Sequence, residues 1–150
     1  MCSSDLEPLL DDPLIEFIGE IGDGEKSAFL GNAVALLFPI DWPEPFGLVL
    51  IEAMACGTPV IAWRCGSVAE IVEDGKTGFI VDSEDEAVRA VGKLHKLDRW
   101  VVRRAFQERF TADVMARNYL RLYWRLCGAV ATADVSDHQA AFGARQEARP

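Results

Sequence analysis

Hydrophobic residues along the chain come in two textures. Short unbroken runs alternate with longer stretches in which apolar positions recur every three or four residues, the mark of strands alternating with helices. Leu14-Ile15-Glu16-Phe17-Ile18 predicts a first strand. Asp23 is placed to cap a helix running to about Asn32, and Val34-Ala35-Leu36-Leu37-Phe38 predicts a second strand stopped by Pro39. A helix over residues 46–56 ends at Gly57, a residue suited to the left-handed conformation past a helix end, and Pro59-Val60-Ile61-Ala62 supplies the next strand. Residues 66–74 predict a short helix closed by Gly75, and Thr77-Gly78-Phe79-Ile80-Val81 a fourth strand. Three helices follow over 84–97, 99–110 and 111–127, the last with Tyr119, Leu122, Tyr123 and Leu126 at helical spacing.

The predicted strands are rich in Val, Ile, Leu and Phe without polar alternation, as strands covered by helices on both faces are. The fold class is therefore α/β, a Rossmann-like parallel sheet with helices on both faces. The expected organisation is an acidic N-terminal segment over residues 1–13, a folded domain over 14–127, and a disordered tail over 128–150. That tail is rich in Ala and small polar residues and has too few apolar side chains to bury.

Composition narrows the partners. The chain has 150 residues, of which 50% are hydrophobic and 26% charged, so a core is assured. Its 24 acidic and 15 basic side chains give a net charge of −9, which repels a phosphate backbone and argues against nucleic acid. Met1-Cys2-Ser3-Ser4-Asp5 carries neither a basic region nor an apolar run, so no secretory signal is read there and a cytoplasmic location is expected. The longest apolar stretch, residues 46–62, is broken by Glu52, Gly57 and Pro59 and falls short of a membrane span. Cys2, Cys56, Cys65 and Cys127 show no C-x-x-C spacing, so reduced thiols are expected and no metal site is assigned. His95 and His138 are isolated and read as exposed.

A Rossmann-like sheet invites a search for a dinucleotide fingerprint. Gly19, Gly22 and Gly24 run in the order G-x-x-G-x-G, which does not reproduce the turn of a dinucleotide fingerprint, so neither NAD nor FAD is expected and no cofactor is assigned. The segment from Glu44 to Val60 carries more. Between Phe46 and Trp63 the only charged residue is Glu52, set in a helix with apolar neighbours on every side. A carboxylate buried there must be paired or must open into a polar cleft, because desolvation costs it several kcal/mol. Glu44 lies just before the same helix, with Pro45 stiffening the entry and Gly47 clearing the first turn. Unpaired first-turn amides and the positive dipole end suit a diphosphate. Glu52 lies four residues past Leu48, on the face that carries those amides, where its carboxylate can accept from a vicinal diol. Two blander readings stand beside this one: Glu44 merely offsets the helix dipole, and Glu52 pairs with an internal base. Ser67 is a weaker candidate, Arg64 a solvated loop residue, and Glu70 is explained by its helix dipole.

Glu44 and Glu52, set in Glu44-Pro45-Phe46-Gly47-Leu48 and followed by Glu52-Ala53-Met54-Ala55-Cys56-Gly57-Thr58-Pro59-Val60-Ile61-Ala62, resemble the E-x7-E motif of retaining GT-B glycosyltransferases. The run Gly66-Ser67-Val68-Ala69-Glu70-Ile71-Val72-Glu73-Asp74-Gly75-Lys76-Thr77-Gly78-Phe79-Ile80-Val81 is similar to the segment that follows in the group containing sucrose, mannosyl and glucosyl transferases, and the likeness covers residues 14–127. The resemblance implies part of the C-terminal lobe of a GT-B fold and a nucleotide diphosphate sugar as ligand. It implies that Glu52 binds ribose hydroxyls, that Glu44 meets the donor sugar as the catalytic carboxylate, and that Phe46, Gly47 and Leu48 help hold sugar and phosphate. Transfer in the family retains configuration and uses no metal, since cationic side chains and helix amides take the leaving-group charge.

The Arg and Lys that do this in the family precede the motif, and no counterpart is read ahead of Asp5; nor is there an acceptor lobe. The expectation is a donor-binding half, inactive alone, completed by a separate N-terminal lobe chain or a homo-oligomer. The alternative is a non-catalytic nucleotide-sugar-binding module or a truncated remnant.

Overall fold

The computed structural model describes residues 12–127, which fall into two bodies, residues 12–107 and residues 108–127. The first is built on a three-stranded parallel sheet in the order β1-β2-β3, with β1 Leu36–Phe38, β2 Val60–Trp63 and β3 Gly78–Val81. Leu36 pairs with Val60 and Val60 with Gly78, so the central strand is bonded along both edges. Helix α1 Asp23–Asn32 precedes β1, and α2 Leu48–Ala55 and the short α3 Val68–Ile71 run between the strands; α4 Glu84–Val91, a 3-10 turn Leu94–Lys96 and α5 Arg99–Arg109 follow.

The unbroken apolar texture of β2 is explained by cover on both faces. On one face Ile61 and Val81 bury against Ala90 of α4 and Leu94 of the 3-10 turn, with Trp63 and Phe79 packed around them. Alternation turns Val60 and Ala62, both buried, to the other face. Helix α2 lies against β1 and β2 and buries Leu50, Ala53 and Met54, the i, i+3, i+4 stripe of an amphipathic helix. Leu50 and Met54 are fully buried, each worth about 2–3 kcal/mol of transfer free energy.

Arg99, at the start of α5, fastens α1 in place. Its guanidinium donates to the carbonyls of Ala33 and Gly31, both at 2.7 Å, and to Thr58 Oγ1 at 2.8 Å, while Thr58 Oγ1 donates to Leu30 O at 2.6 Å. A cation thus meets the negative end of α1, where the last carbonyls lack helical partners. Ser83 caps α4, accepting from Glu86 N.

Several elements differ from expectation. The strand predicted at 14–18 does not form: Leu14, Ile15, Phe17 and Ile18 are exposed, and none of them enters a ladder. A run of apolar residues becomes a strand only when a neighbour takes its backbone groups. Gly22, not Asp23, occupies the cap of α1, leaving Asp23 in the first turn. Helix α2 starts at Leu48 and not at 46, because Gly47 has a positive φ of 73° that no helix accommodates. The cysteines Cys56, Cys65 and Cys127 are free thiols, and His95 is exposed. Cys2, His138, the tail 128–150 and most of the acidic segment 1–13 lie outside the described residues. No helix among the described residues is long and apolar enough to cross a membrane.

The second body holds the end of α5 and α6 Ala112–Leu126, capped by Thr111, whose Oγ1 accepts from Val114 N at 3.3 Å. The rings of Tyr119 and Tyr123 stand 6.1 Å apart along it, and none of its side chains is buried.

Candidate functional site

The bend before α2 is fixed by its own backbone and by a second loop. Glu44 N donates to Trp42 O at 2.7 Å, which tightens the approach to Pro45. The Glu44 carboxylate turns forward: Oε1 accepts from Gly47 N at 3.3 Å, and Oε2 accepts from the indole Nε1 of Trp42 at 3.3 Å. Glu44 is half-buried and Trp42 exposed. The carboxylate is thus held by two neutral donors, one of them the N–H of the α2 cap residue.

The second loop closes on this bend from residues 65–68. Ser67 N donates to Glu44 O at 3.1 Å, and Ser67 Oγ donates to Phe46 O at 2.8 Å. Ser67 is buried, with 7% of its surface exposed. Gly66 makes the approach possible. It has a φ of 54°, and a Cβ there would run into the Glu44 carbonyl and lie 2.7 Å from Glu44 N. Only glycine satisfies both the left-handed backbone and the contact.

Helix α2 presents its first turn at the end of this bend. Leu50 N donates to Gly47 O at 3.0 Å, whereas the N–H groups of Leu48 and Val49 donate to no described residue. Leu48 and Phe46 are exposed beside them, so the start of the helix opens to solvent. Unbonded amides at the positive end of a helix are an anion-binding arrangement.

Glu52 lies one turn deeper, about 6 Å along the helix from Leu48. Its environment is a correction to the sequence reading. The helix is buried on one stripe only, and the Glu52 side chain is 38% exposed rather than enclosed by apolar neighbours. The internal base left open as an alternative exists: Lys26 Nζ of α1 donates to Glu52 Oε1 at 3.2 Å. Lys26 also lies 3.5 Å from Asp23 Oδ1. The bond to Glu52, then its charge, raise the Lys26 pKa above the ordinary 10.5, so the ammonium persists through neutral pH. Because a raised lysine pKa supports the fold below its unfolded value, the pairing weakens only as pH climbs through the folded value.

The structure therefore brings Glu44, Phe46, Gly47 and Leu48 into one bend and sets Glu52 on the same helix beyond it. Arg64 is the solvated loop residue expected, and its Nε donates to the exposed Asp82 Oδ1 at 3.2 Å. Ser67, the weaker candidate, clamps the bend through its Oγ to Phe46 O and its N–H to Glu44 O. Lys26, Trp42 and Gly66 were missed by sequence reasoning, since spacing along one chain does not report which loop meets which. The run Cys65-Gly66-Ser67 after a strand was the one available signal, a glycine where two segments touch. No group of three or more His, Cys, Asp or Glu suited to a metal occurs among the described residues.

Comparison with known proteins gives this geometry its setting. The model of the family described as glycosyl transferases group 1 matches residues 12–110. The phosphatidyl-myo-inositol mannosyltransferase of Mycobacterium leprae (strain TN) is 32% identical over 116 residues, 73% of this chain and 31% of that protein. A probable sucrose-phosphate synthase of Thermosipho melanesiensis is 41% identical over 83 residues, 53% of this chain and 19% of that protein. Among solved structures, the sucrose-phosphate synthase of Thermosynechococcus elongatus superposes with a TM-score of 0.67 at 28% identity, covering 85% of this chain and 34% of that one. The chain spans about a third or less of the length of these relatives.

Proposed function

Since the chain belongs to the glycosyl transferases group 1 family, we propose that residues 14–127 form the donor-binding part of a retaining glycosyltransferase that uses a nucleotide diphosphate sugar. One observation carries the proposal: the unbonded Leu48 and Val49 amides open to solvent between two carboxylates, each already oriented by a donor. The amides take the diphosphate, Glu52 accepts from the ribose diol, and Glu44 meets the donor sugar beside Phe46, Gly47 and Leu48. In the transfer the bond from the anomeric carbon to the diphosphate breaks. The departing oxygen keeps the electron pair, and the acceptor hydroxyl forms the new bond on the same face and passes its proton to that departing phosphate oxygen. Charge grows on the departing diphosphate, where oriented amides stabilise it most.

Calorimetric titration with UDP, GDP and ADP tests the binding step. One of them should bind, and Glu52→Gln should weaken it about tenfold or more, since a charge-assisted hydrogen bond is lost. An unchanged affinity in a folded variant overturns the ribose assignment.

The chain spans about a third or less of the length of the matched relatives, and transfer also requires the acceptor to be held against the anomeric carbon. The 150-residue chain acting alone is therefore expected not to turn over nucleotide sugars at a rate typical of an enzyme, and to need a further lobe or a second copy. Robust turnover by the lone chain across a mixed acceptor panel, abolished by Glu44→Ala, overturns that half-enzyme reading. The free thiols of Cys56, Cys65 and Cys127 favour the cytoplasm as its compartment.

A further inference from the structure

The ion pair between α1 and α2 is more than a fastening. Lys26 and Glu52 come from helices that pack together, yet both side chains remain 38% exposed. An ion pair this open contributes little to folding, because water competes for both charges and two long side chains are immobilised. Its consequence for Glu52 is larger. A free glutamate samples many rotamers, and a ligand that needs one of them must bear the cost of selecting it. Lys26 holds Oε1, while Oε2 accepts from no described residue. The carboxylate is thus oriented and half-occupied, with acceptor capacity left for a second donor pair.

Charge acts in the same direction. Glu44 and Glu52 are two carboxylates on the segment whose helix start is proposed to take an anion, and Asp23 is a third beside Lys26. Lys26 is bonded to two of them, and its raised pKa keeps it charged while it is. With the ammonium in place, an approaching diphosphate meets Glu52 as a paired and not a bare carboxylate.

We propose that Lys26 is a specificity-determining positioning residue, orienting Glu52 so that the site distinguishes a ribose from a 2′-deoxyribose. The inference rests on the donor reading given above and adds to it a residue outside the motif. A carboxylate in one fixed orientation bonds both hydroxyls of a vicinal diol. A carboxylate free to rotate bonds one hydroxyl nearly as well, and the difference between the two sugars shrinks.

The test measures, by calorimetry on the full 150-residue chain, the affinities of UDP, GDP and ADP and of their 2′-deoxy forms, in the native protein and in Lys26→Met, Lys26→Arg and Glu52→Gln. The native chain should prefer the ribo form by about tenfold, the worth of one charge-assisted bond, and Lys26→Met should cut that preference below about threefold. Lys26→Arg keeps a cation at the same carboxylate and should restore most of the preference. Thermal melting monitors the fold throughout. If Lys26→Met lowers the melting temperature while the native preference survives, Lys26 only fastens α1 to α2 and the inference fails, although the donor site stands. If Glu52→Gln leaves the preference untouched, or none of the three diphosphates binds, the donor reading itself fails and this inference with it.

Discussion

Glu44 and Glu52 sit seven intervening residues apart in one segment, but the two regions that hold them are built differently. Glu44 rides on a bend whose shape is imposed from outside, by Gly66 and Ser67 pressing on its backbone. Glu52 rides on a helix whose place is set from beneath, by Leu50, Ala53 and Met54 in the core. A loop has no ladder of its own and needs a partner at close backbone range, whereas a helix satisfies its own backbone and needs only an apolar stripe. The carboxylates differ in kind as well: Glu44 is held by two neutral N–H groups, Glu52 by a cation. The bend should therefore be brittle toward small changes in backbone space. The helix should be tolerant, with its side-chain orientation set by charge.

Gly66→Ala is the strongest way to break this contrast. A left-handed alanine costs about 1–2 kcal/mol by itself, and the collision with Glu44 adds to it. Urea unfolding should show a loss of about 3 kcal/mol in all, among the larger single-residue effects. Binding of the nucleoside diphosphate should be lost in whatever remains folded, because the bend carries the start of α2. A variant of native stability and affinity would mean that the two loops are not in contact.

Ser67→Ala sharpens the contrast at smaller scale. It deletes the hydroxyl that donates to Phe46 O at 2.8 Å but leaves the backbone bond from Ser67 N to Glu44 O. The expected loss is about 1 kcal/mol in denaturant unfolding, the net worth of one hydrogen bond. Affinity for the diphosphate should fall only a few-fold, and the ribose preference proposed for Glu52 should not change. A shift in that preference would show that the bend and the helix are coupled, contrary to the division drawn here.

How much of this was legible beforehand follows the same division. Helix α2 and strands β2 and β3 were readable because their signals are local: an apolar run, a glycine stop and a proline break. Helix α6 was readable by periodicity, although no side chain on it is buried, since spacing reports an amphipathic helix and not what covers its apolar face. Residues 14–18 carried the texture of a strand and formed none, because a strand is completed only by a neighbour. Arg64 is the solvated loop residue its position predicted, while its pairing with Asp82, eighteen positions on, is not a local signal.

The sequence by itself determined the alternation of elements, the parallel α/β class and the two glutamates flanking one helix start, all matters of local pattern. Only the tertiary structure decided that Glu52 is half-exposed and bonded to Lys26, that Trp42 shares the Glu44 carboxylate, and that Gly66 meets the Glu44 backbone. Those facts join residues up to 26 positions apart. They depend on how α1 packs on α2 and how two loops close on each other, and no spacing within a single segment encodes a contact between segments.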